Sequence, residues 1–495
     1  MELEVTQEKK ATEVGSYFVS NYPPYSVWSP EHVPAAVTAL DTPVERRCAD
    51  GGSVSPPLGL YLHIPFCRKR CEFCYFRVYT DKNARDVDVY IDALTREVAL
   101  YAECAGIGGR QFEFVYFGGG TPSFLSSEQL LRLIDGISRH WTWDAAREVT
   151  FECEPGTLKK GKLETIKAIG VTRLSLGIEH FDDSVLEING RAHKSPEVYR
   201  SYGWARDVGF DQINIDLIAG MVGETERKWI DTVEKALALA PDSVTIYQME
   251  VPHNTVLWRT ASRGGEAIPV ADWPTKRRWV DHAFKVFEAA GYEVSSAYTL
   301  VKRGDDAGAP LADAPGAHAE RSASPERDEG SRAKASCDRH DDPPSRGLKH
   351  AARAGAFVYR DALWHGADMV GTGVASFSHF AGVHYQNLDG WAQYIESLEA
   401  GRLPIHRALP VSKKQLLIRE MILQMKTGRL DRGYFREKFG VDIAVEFADG
   451  FAALVQKGFA TVGDEQIRLS REGLLRVDGL LPYFFEPAFR DIRYT

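Results

Sequence analysis

The alternation of two hydrophobic periods is what most restricts the fold open to this chain. From Leu58 onward, short runs rich in β-branched and aromatic residues recur at 60–64, 112–117, 148–152, 173–178, 212–218, 243–249 and 292–298. Between them lie longer stretches with apolar residues at helical spacing, as at 89–102, 127–137 and 226–239. Strands that alternate with helices imply βα units and a parallel sheet, because two consecutive strands run the same way only if something crosses between them. Repetition through at least six units points to a complete or partial barrel. The expected class is α/β, with a partial (β/α) barrel over residues 57–302.

Two segments interrupt this rhythm. Residues 303–355 are rich in Ala, Asp, Gly, Pro, Ser and Arg and nearly lack large apolar side chains. Burial there cannot offset the entropy of ordering, so a disordered low-complexity insertion is expected, with Cys337 part of a solvated linker. Residues 368–377 (DMVGTGVASF) then read as a strand and a small-residue turn able to approach a ligand, which makes 356–405 a completion of the barrel region. Ahead of the barrel, 1–56 carries Pro23, Pro24, Pro34 and Pro43 and is expected to be a mostly irregular N-terminal arm. From 406 to 495 the order becomes helices at 413–425 and 443–457, a β pair within 460–469 and a last helix from Glu472. That is the pattern of a small winged-helix-like α+β domain.

Winged helices often bind DNA, but no dense basic stripe marks this one. The whole chain carries a net charge of −9, so it offers no electrostatic footprint for nucleic acid, and the C-terminal domain is expected to act as a cover over the barrel. The first ten residues, MELEVTQEKK, are polar and acidic where a secretory signal needs a basic start and an apolar run. No later stretch approaches the ~18 consecutive apolar residues of a membrane span. The expectation is a cytoplasmic protein without a membrane segment.

Seven cysteines are present, and Cys67, Cys71 and Cys74 stand close together. In a large chain of this kind an odd, scattered set favours a metal site over a disulfide framework. The triad reads C-x3-C-x2-C and follows the first barrel strand directly. Three thiolates on one loop can hold three irons of a 4Fe-4S cluster and leave the fourth open to a small molecule. The alternatives are chance clustering and structural zinc, which requires a fourth ligand; the near candidate, His63, lies on the preceding strand. Elsewhere, Glu152 and Asp216 sit in or at the end of otherwise apolar strands, where a carboxylate is costly unless it is paired or bonded to a ligand. Arg191, in NGRAH, can present a planar fork to a carboxylate. For each of these the alternative is a salt bridge inside the barrel.

The string YLHIPFCRKRCEFCYF, with VYFGGGTPSFL, TFECEP, RLSLGIEHF and NIDLIAGM further on, resembles the radical SAM family. More narrowly it is similar to the branch of oxygen-independent coproporphyrinogen III oxidase, heme chaperones, and two-SAM methylases and cyclopropanases. The resemblance implies that Cys67, Cys71 and Cys74 hold a 4Fe-4S cluster whose open iron binds S-adenosylmethionine (SAM). An electron then cleaves SAM to a 5′-deoxyadenosyl radical, which takes a hydrogen atom from substrate. It assigns Tyr61, Gly119, Gly120, Thr121, Glu152, Glu179, Arg191 and Asp216 to SAM, of which one or two molecules bind. It also implies a small-molecule substrate, for which a tetrapyrrole is a candidate, and an electron donor such as flavodoxin or ferredoxin.

The chain departs from this family at three points. Coproporphyrinogen oxidases usually continue the triad with another cysteine two residues on, where this chain has Phe76. Glu179 stands where glutamine is common, replacing a neutral donor and acceptor with a carboxylate. The chaperone signature HNxxYW is reduced to Tyr359-Arg-Asp-Ala-Leu-Trp364, with His365 next to it as an imaginable iron ligand. The arm sequence NYPPYS at 21–26 faintly matches the oxidases. The expected function is a radical SAM oxidoreductase of the coproporphyrinogen oxidase-like type. Beside it stand a radical methylase or cyclopropanase and a heme chaperone without dedicated turnover.

Overall fold

The computed structural model describes residues 20–44, 46–47, 53–54, 56–264, 269–303, 357–490 and 492. The insertion expected at 303–355, Cys337 included, falls outside them apart from Arg303. The arm is less irregular than expected: Pro34 occupies the first turn of helix α1 (Val33–Asp41), where a missing N–H costs nothing. A short strand pair, β1 (Arg46–Arg47) and β2 (Ser53–Val54), leads to the main sheet.

The sheet forms as its periodicity requires. Strands β3 (Leu58–Ile64), β4 (Phe112–Gly119), β5 (Glu148–Cys153), β6 (Arg173–Glu179), β7 (Gln212–Ala219) and β8 (Ser243–Gln248) are hydrogen-bonded neighbours in that order, all parallel. Helices carry the crossovers: α2 (Ala84–Glu103), α3 (Ser127–Ser138), α4 (Lys160–Ala168), α5 (Asp183–Ile188), α6 (Ser195–Val208) and α7 (Glu226–Ala238). Each must bury one face and start cleanly. In α2 the buried side chains include Val87, Ile91, Leu94 and Val98, one stripe at i, i+4, i+7 and i+11. Asn83 and Asp86 close a capping box at its start, as do Ser126 and Gln129 for α3. Covered on both sides, β3 buries six of its seven residues.

Beyond β8 the chain forms α8 (Val256–Gly264), α9 (Trp273–Ala289), β9 (Tyr292–Val294) and β10 (Thr299–Lys302). The single strand expected at 292–298 is instead an antiparallel hairpin, in which Ser295 N–H and Ser296 N–H both donate to Thr299 O, turning the chain before it pairs with β8. Helix α10 (Val358–Trp364) and β11 (Asp368–Thr372) follow, and β11 runs parallel beside β3. The small-residue turn after it leads into β12 (Phe377–Phe380), β13 (Val383–Asn387), α11 (Trp391–Glu399) and β14 (Ile405–Pro410), with β12–β14 extending that edge antiparallel. The twelve strands thus end at β14 on one side and β9 on the other, unpaired with each other. The sheet is a partial barrel.

The C-terminal residues form α12 (Lys413–Met425), β15 (Arg429–Asp431), α13 (Arg432–Phe439), α14 (Ile443–Glu446), α15 (Ala448–Gln456), β16 (Ala460–Val462), β17 (Gln466–Leu469), α16 (Arg471–Leu475) and α17 (Val477–Leu480). The helix expected over 443–457 breaks at Phe447, whose φ of −116° leaves the helical range. The final helix breaks likewise at Arg476. Strands β15, β17 and β16 make a three-stranded sheet. This unit has its own core, around Ile422, Leu430, Phe435, Phe451 and Leu454, and locks onto the barrel by buried polar links. Lys426 Nζ lies 2.8 Å from Asp478 Oδ1, and Tyr298 OH donates to the same carboxylate. Trp28 of the arm stacks on His384, and Tyr22 is fully buried against Phe485.

Candidate functional site

In a parallel sheet every strand delivers its C-terminal end to the same edge, and loops from that edge meet over the barrel mouth. The cysteine loop leaves β3 there. Its start is pinned by Cys67 N–H donating to Tyr79 O and its middle by Glu72 N–H donating to Asn189 O, at 3.0 and 3.1 Å. All three cysteines of the loop line a cavity of about 390 Å³, as do Gly119, Gly120, Thr121, Glu152, Glu179, Arg191 and Asp216.

Strand alternation explains why these side chains meet. Ser175, Gly177 and Glu179 fall on one face of β6, Asn214 and Asp216 on one face of β7, and Glu152 and Glu154 share a face at the end of β5. Between Gly177 and Glu179 the register of β6 against β7 slips, and Glu179 adopts φ +65°. A non-glycine residue held in the left-handed region is strained and persists only where its surroundings demand it. Here the bulge places the Glu179 carboxylate 3.4 Å from Arg191 Nη1.

Arg191 links the carboxylates to the cysteines. Its Nη1 also donates to Cys71 Sγ at 3.3 Å and its Nη2 to Gly177 O at 2.7 Å, while its buried Nε has no hydrogen-bond partner among the described residues. Thr121 Oγ1 donates to Cys67 Sγ at 3.3 Å. Glu152 accepts from Tyr116 OH at 2.7 Å and from Gly119 N–H at 3.2 Å. Asp216 accepts from Ser175 Oγ and Asn214 Nδ2, both at 2.9 Å.

Burial dominates the electrostatics. It raises the Glu152 and Glu179 carboxyls to about 7, against the opposing pull of Tyr116 on the first and Arg191 on the second, and it raises Asp216 as well. Burial also pushes the thiols of Cys67 and Cys74 up, to about 12 and about 11. For Arg191 burial works to lower the pKa, but Cys71, Glu179 and Glu154 outweigh it. Glu152, Glu179 and Asp216 line the cavity together with Arg191, and Arg68, Lys69, Arg70, Glu154 and Glu250 also contribute to its lining. Among the described residues no three His, Cys, Asp or Glu side chains converge on a single metal ion. A 4Fe-4S cluster asks something different, since each cysteine binds its own iron.

The glycines behave differently from their sequence reading. A Cβ on Gly120 would lie 2.9 Å from the backbone of Pro65 and Phe66, and one on Gly119, at φ +115°, would lie 2.7 Å from the His63 ring. Their missing side chains let the turn approach the protein's own cysteine loop. Tyr61 is not among the cavity-lining residues; it stacks on Tyr116 at 5.8 Å, one ring back. His365 also lies away from the cavity, its Nδ1 2.7 Å from Asp361 O.

Sequence reasoning overlooked Glu154, which accepts two-pronged from Arg68 and bonds His193 at 3.0 Å. Burial alone would raise its pKa, but His193, Arg191 and Arg68 hold it near 2. The available signal was its spacing of two from Glu152.

Comparison with known proteins places this geometry. Residues 61–236 match the model of the Radical SAM superfamily. A heme chaperone, HemW of Bacillus subtilis, is 27% identical over 420 residues, 84% of this chain and 96% of the relative. The oxygen-independent coproporphyrinogen III oxidase of Escherichia coli is 24% identical over 445 residues, 86% of this chain and 85% of that protein. The solved structure of the coproporphyrinogen III oxidase of Escherichia coli superposes with a TM-score of 0.73 at 21% identity, covering 94% of this chain and 96% of that one, a likeness of fold. Residues 61–236 are a radical SAM domain, and the chain is similar to the coproporphyrinogen oxidase-like branch of that superfamily. A radical SAM protein works with a 4Fe-4S cluster and SAM, and the thiols, the buried carboxyls and the Arg191 Nε, which has no partner among the described residues, fit that pair. Among the described residues no helix is long and apolar enough to cross a membrane.

Proposed function

We propose that this protein is a SAM-dependent radical oxidoreductase acting on a tetrapyrrole, with its cluster on Cys67, Cys71 and Cys74. The observation that carries the reading is the convergence of these thiols with Glu152, Glu179, Arg191 and Asp216 on one cavity. When bound, the cluster and SAM supply a 5′-deoxyadenosyl radical that removes a hydrogen atom from substrate. The chain's own residues bind and orient. Arg191 and Thr121 donate to two cysteine sulfurs, and the Arg191 Nε is left for a carboxylate such as that of SAM. The buried carboxyls Glu152, Glu179 and Asp216 complement SAM's ammonium, sulfonium and ribose hydroxyls, with Thr121, Gly119 and Gly120 closing the near wall. The tetrapyrrole is supported by relatives on both sides, an oxidase named for coproporphyrinogen and a chaperone named for heme, each alignment covering more than four fifths of this chain.

Anaerobic reconstitution tests the assignment. Wild-type protein should take up about four irons per chain and form 5′-deoxyadenosine from SAM and a reductant, and Cys71→Ala should do neither. Normal iron content in that variant would sink it. Mass spectrometry after incubation with coproporphyrinogen III separates the chemistries: loss of two carboxylates identifies an oxidase, a gained methylene an alkyl transfer. The second reading, a heme chaperone, is favoured by the Bacillus subtilis relative. Tight stoichiometric heme binding with no substrate-dependent SAM cleavage would establish it instead.

A further inference from the structure

The cavity lining combines two chemical characters. Beside the polar groups Glu152, Ser175, Glu179, Arg191 and Asp216, the lining includes the aromatic rings of Tyr75, Phe76 and Tyr247. Phe76 leaves 48% of its surface uncovered and Tyr247 leaves 41%, although both line the cavity. Aromatic surface left bare in a concave site is unfavourable in water and gains most when a ligand covers it. These rings are also held in place. Tyr75 packs on Phe76 with centroids 4.6 Å apart, and behind Tyr247 the ring of Tyr298 stacks at 6.1 Å and 27°. Tyr298 in turn is anchored on Asp478, which Lys426 holds. Next to Tyr247, Gln248 Nε2 donates to Leu475 O at 3.0 Å, and its buried Oε1 has no hydrogen-bond partner among the described residues.

We infer that the aromatic wall made by Phe76 and Tyr247 is the substrate subsite, that it receives the pyrrole rings of a tetrapyrrole, and that these two side chains determine its specificity. The inference rests on the radical SAM and tetrapyrrole reading above and adds where and how the substrate docks. Rigid aromatic faces reward a planar partner through offset stacking, which a flexible alkyl chain cannot match. Phe76 also accounts for the position where the oxidases carry a further cysteine: the side chain supplies contact area.

The test is the affinity of coproporphyrin III and of hemin for the anaerobically reconstituted protein, followed by fluorescence or absorbance, with the affinity for SAM measured on the same samples. Phe76→Ala should weaken the tetrapyrrole about tenfold, and Tyr247→Leu by a similar factor, the worth of one stacked ring. Phe76→Tyr keeps the flat ring and should stay within about threefold of wild type. If Phe76→Ala and Tyr247→Leu both bind within about twofold of wild type, the subsite is wrong. Equal losses of SAM and tetrapyrrole affinity would place the rings against the adenine of SAM and overturn it too. Wild-type protein that binds neither coproporphyrin III nor hemin overturns the tetrapyrrole reading itself, a result distinct from wild-type binding that the variants leave intact.

Discussion

Replacing Glu179 with glutamine isolates one electrostatic cost in the cavity. Burial moves this carboxyl from its ordinary 4.5 to about 7, with Arg191 opposing the rise and Asp216 adding to it. In the unfolded chain the group loses its proton near 4.5, while in the folded protein it keeps it up to about 7. Its contribution is therefore fully present below 4.5 and is lost as pH rises through about 7. The full difference amounts to at most about 3 kcal/mol, at about 1.4 kcal/mol per pH unit. Glutamine occupies the same volume and can accept from Arg191 at the same position, but it does not ionise. Metal-free wild type and Glu179→Gln should melt together at about pH 4, whereas at about pH 8 the variant should melt higher by up to roughly 6 °C, taking about 2 °C per kcal/mol for a large domain. Glu152 and Asp216 titrate in both proteins, and because the Glu179 charge adds to the rise of Glu152, the difference between the two melting curves reports Glu179 together with that coupling. Parallel curves across about pH 4–8 would show that burial does not hold the Glu179 carboxyl neutral, and the burial account of the cavity's electrostatics would fail.

Two further substitutions probe the site and its frame. Arg191→Met removes the cation that faces Glu179 and Cys71; the dissociation constant for SAM by equilibrium dialysis should rise roughly 10- to 100-fold, the cost of a charge-assisted contact, and a change under about twofold would remove Arg191 from the site. Glu97 lies fully buried behind β11 and accepts from Gly373 N–H, Asn387 Nδ2 and Tyr394 OH at 2.7, 2.6 and 2.6 Å. Glu97→Ala leaves Gly373 N–H and Tyr394 OH without this acceptor, while Asn387 Nδ2 keeps Gly373 O and Ser376 Oγ, and it should cost about 2–5 kcal/mol in denaturant titrations; a loss under about 1 kcal/mol would contradict that accounting.

Much of the scaffold was legible in sequence because its determinants are local. Alternating periods of two and of 3.6 residues mark β3–β8 and their helices, and capping residues such as Asn83 and Ser126 mark where helices begin. The errors fell where a short turn overrides a hydrophobic pattern. The apolar run at 292–298 reads as one strand, but the bonds that Ser295 and Ser296 donate to Thr299 fold it into a hairpin. Likewise 443–457 keeps a helical period through Phe447, where the backbone leaves the helix.

The sequence by itself determined the chemistry on offer: three thiols at cluster spacing, carboxylates set into apolar strands, a glycine turn, and one arginine. These signals survive in one dimension because each is a matter of residue type and short spacing. Tertiary structure alone decided which of them share a cavity. It brought Arg191 to Cys71 across 120 residues, turned Glu179 inward through a bulge, and set Tyr61 one ring behind Tyr116. It also placed Phe76 and Tyr247 in the lining of the same cavity, where a sequence reading sees only a lost cysteine and a strand tyrosine. The reason is geometric. Which side chains meet over the barrel mouth depends on the curvature of the sheet and the path of its loops, and both are products of the whole packed core.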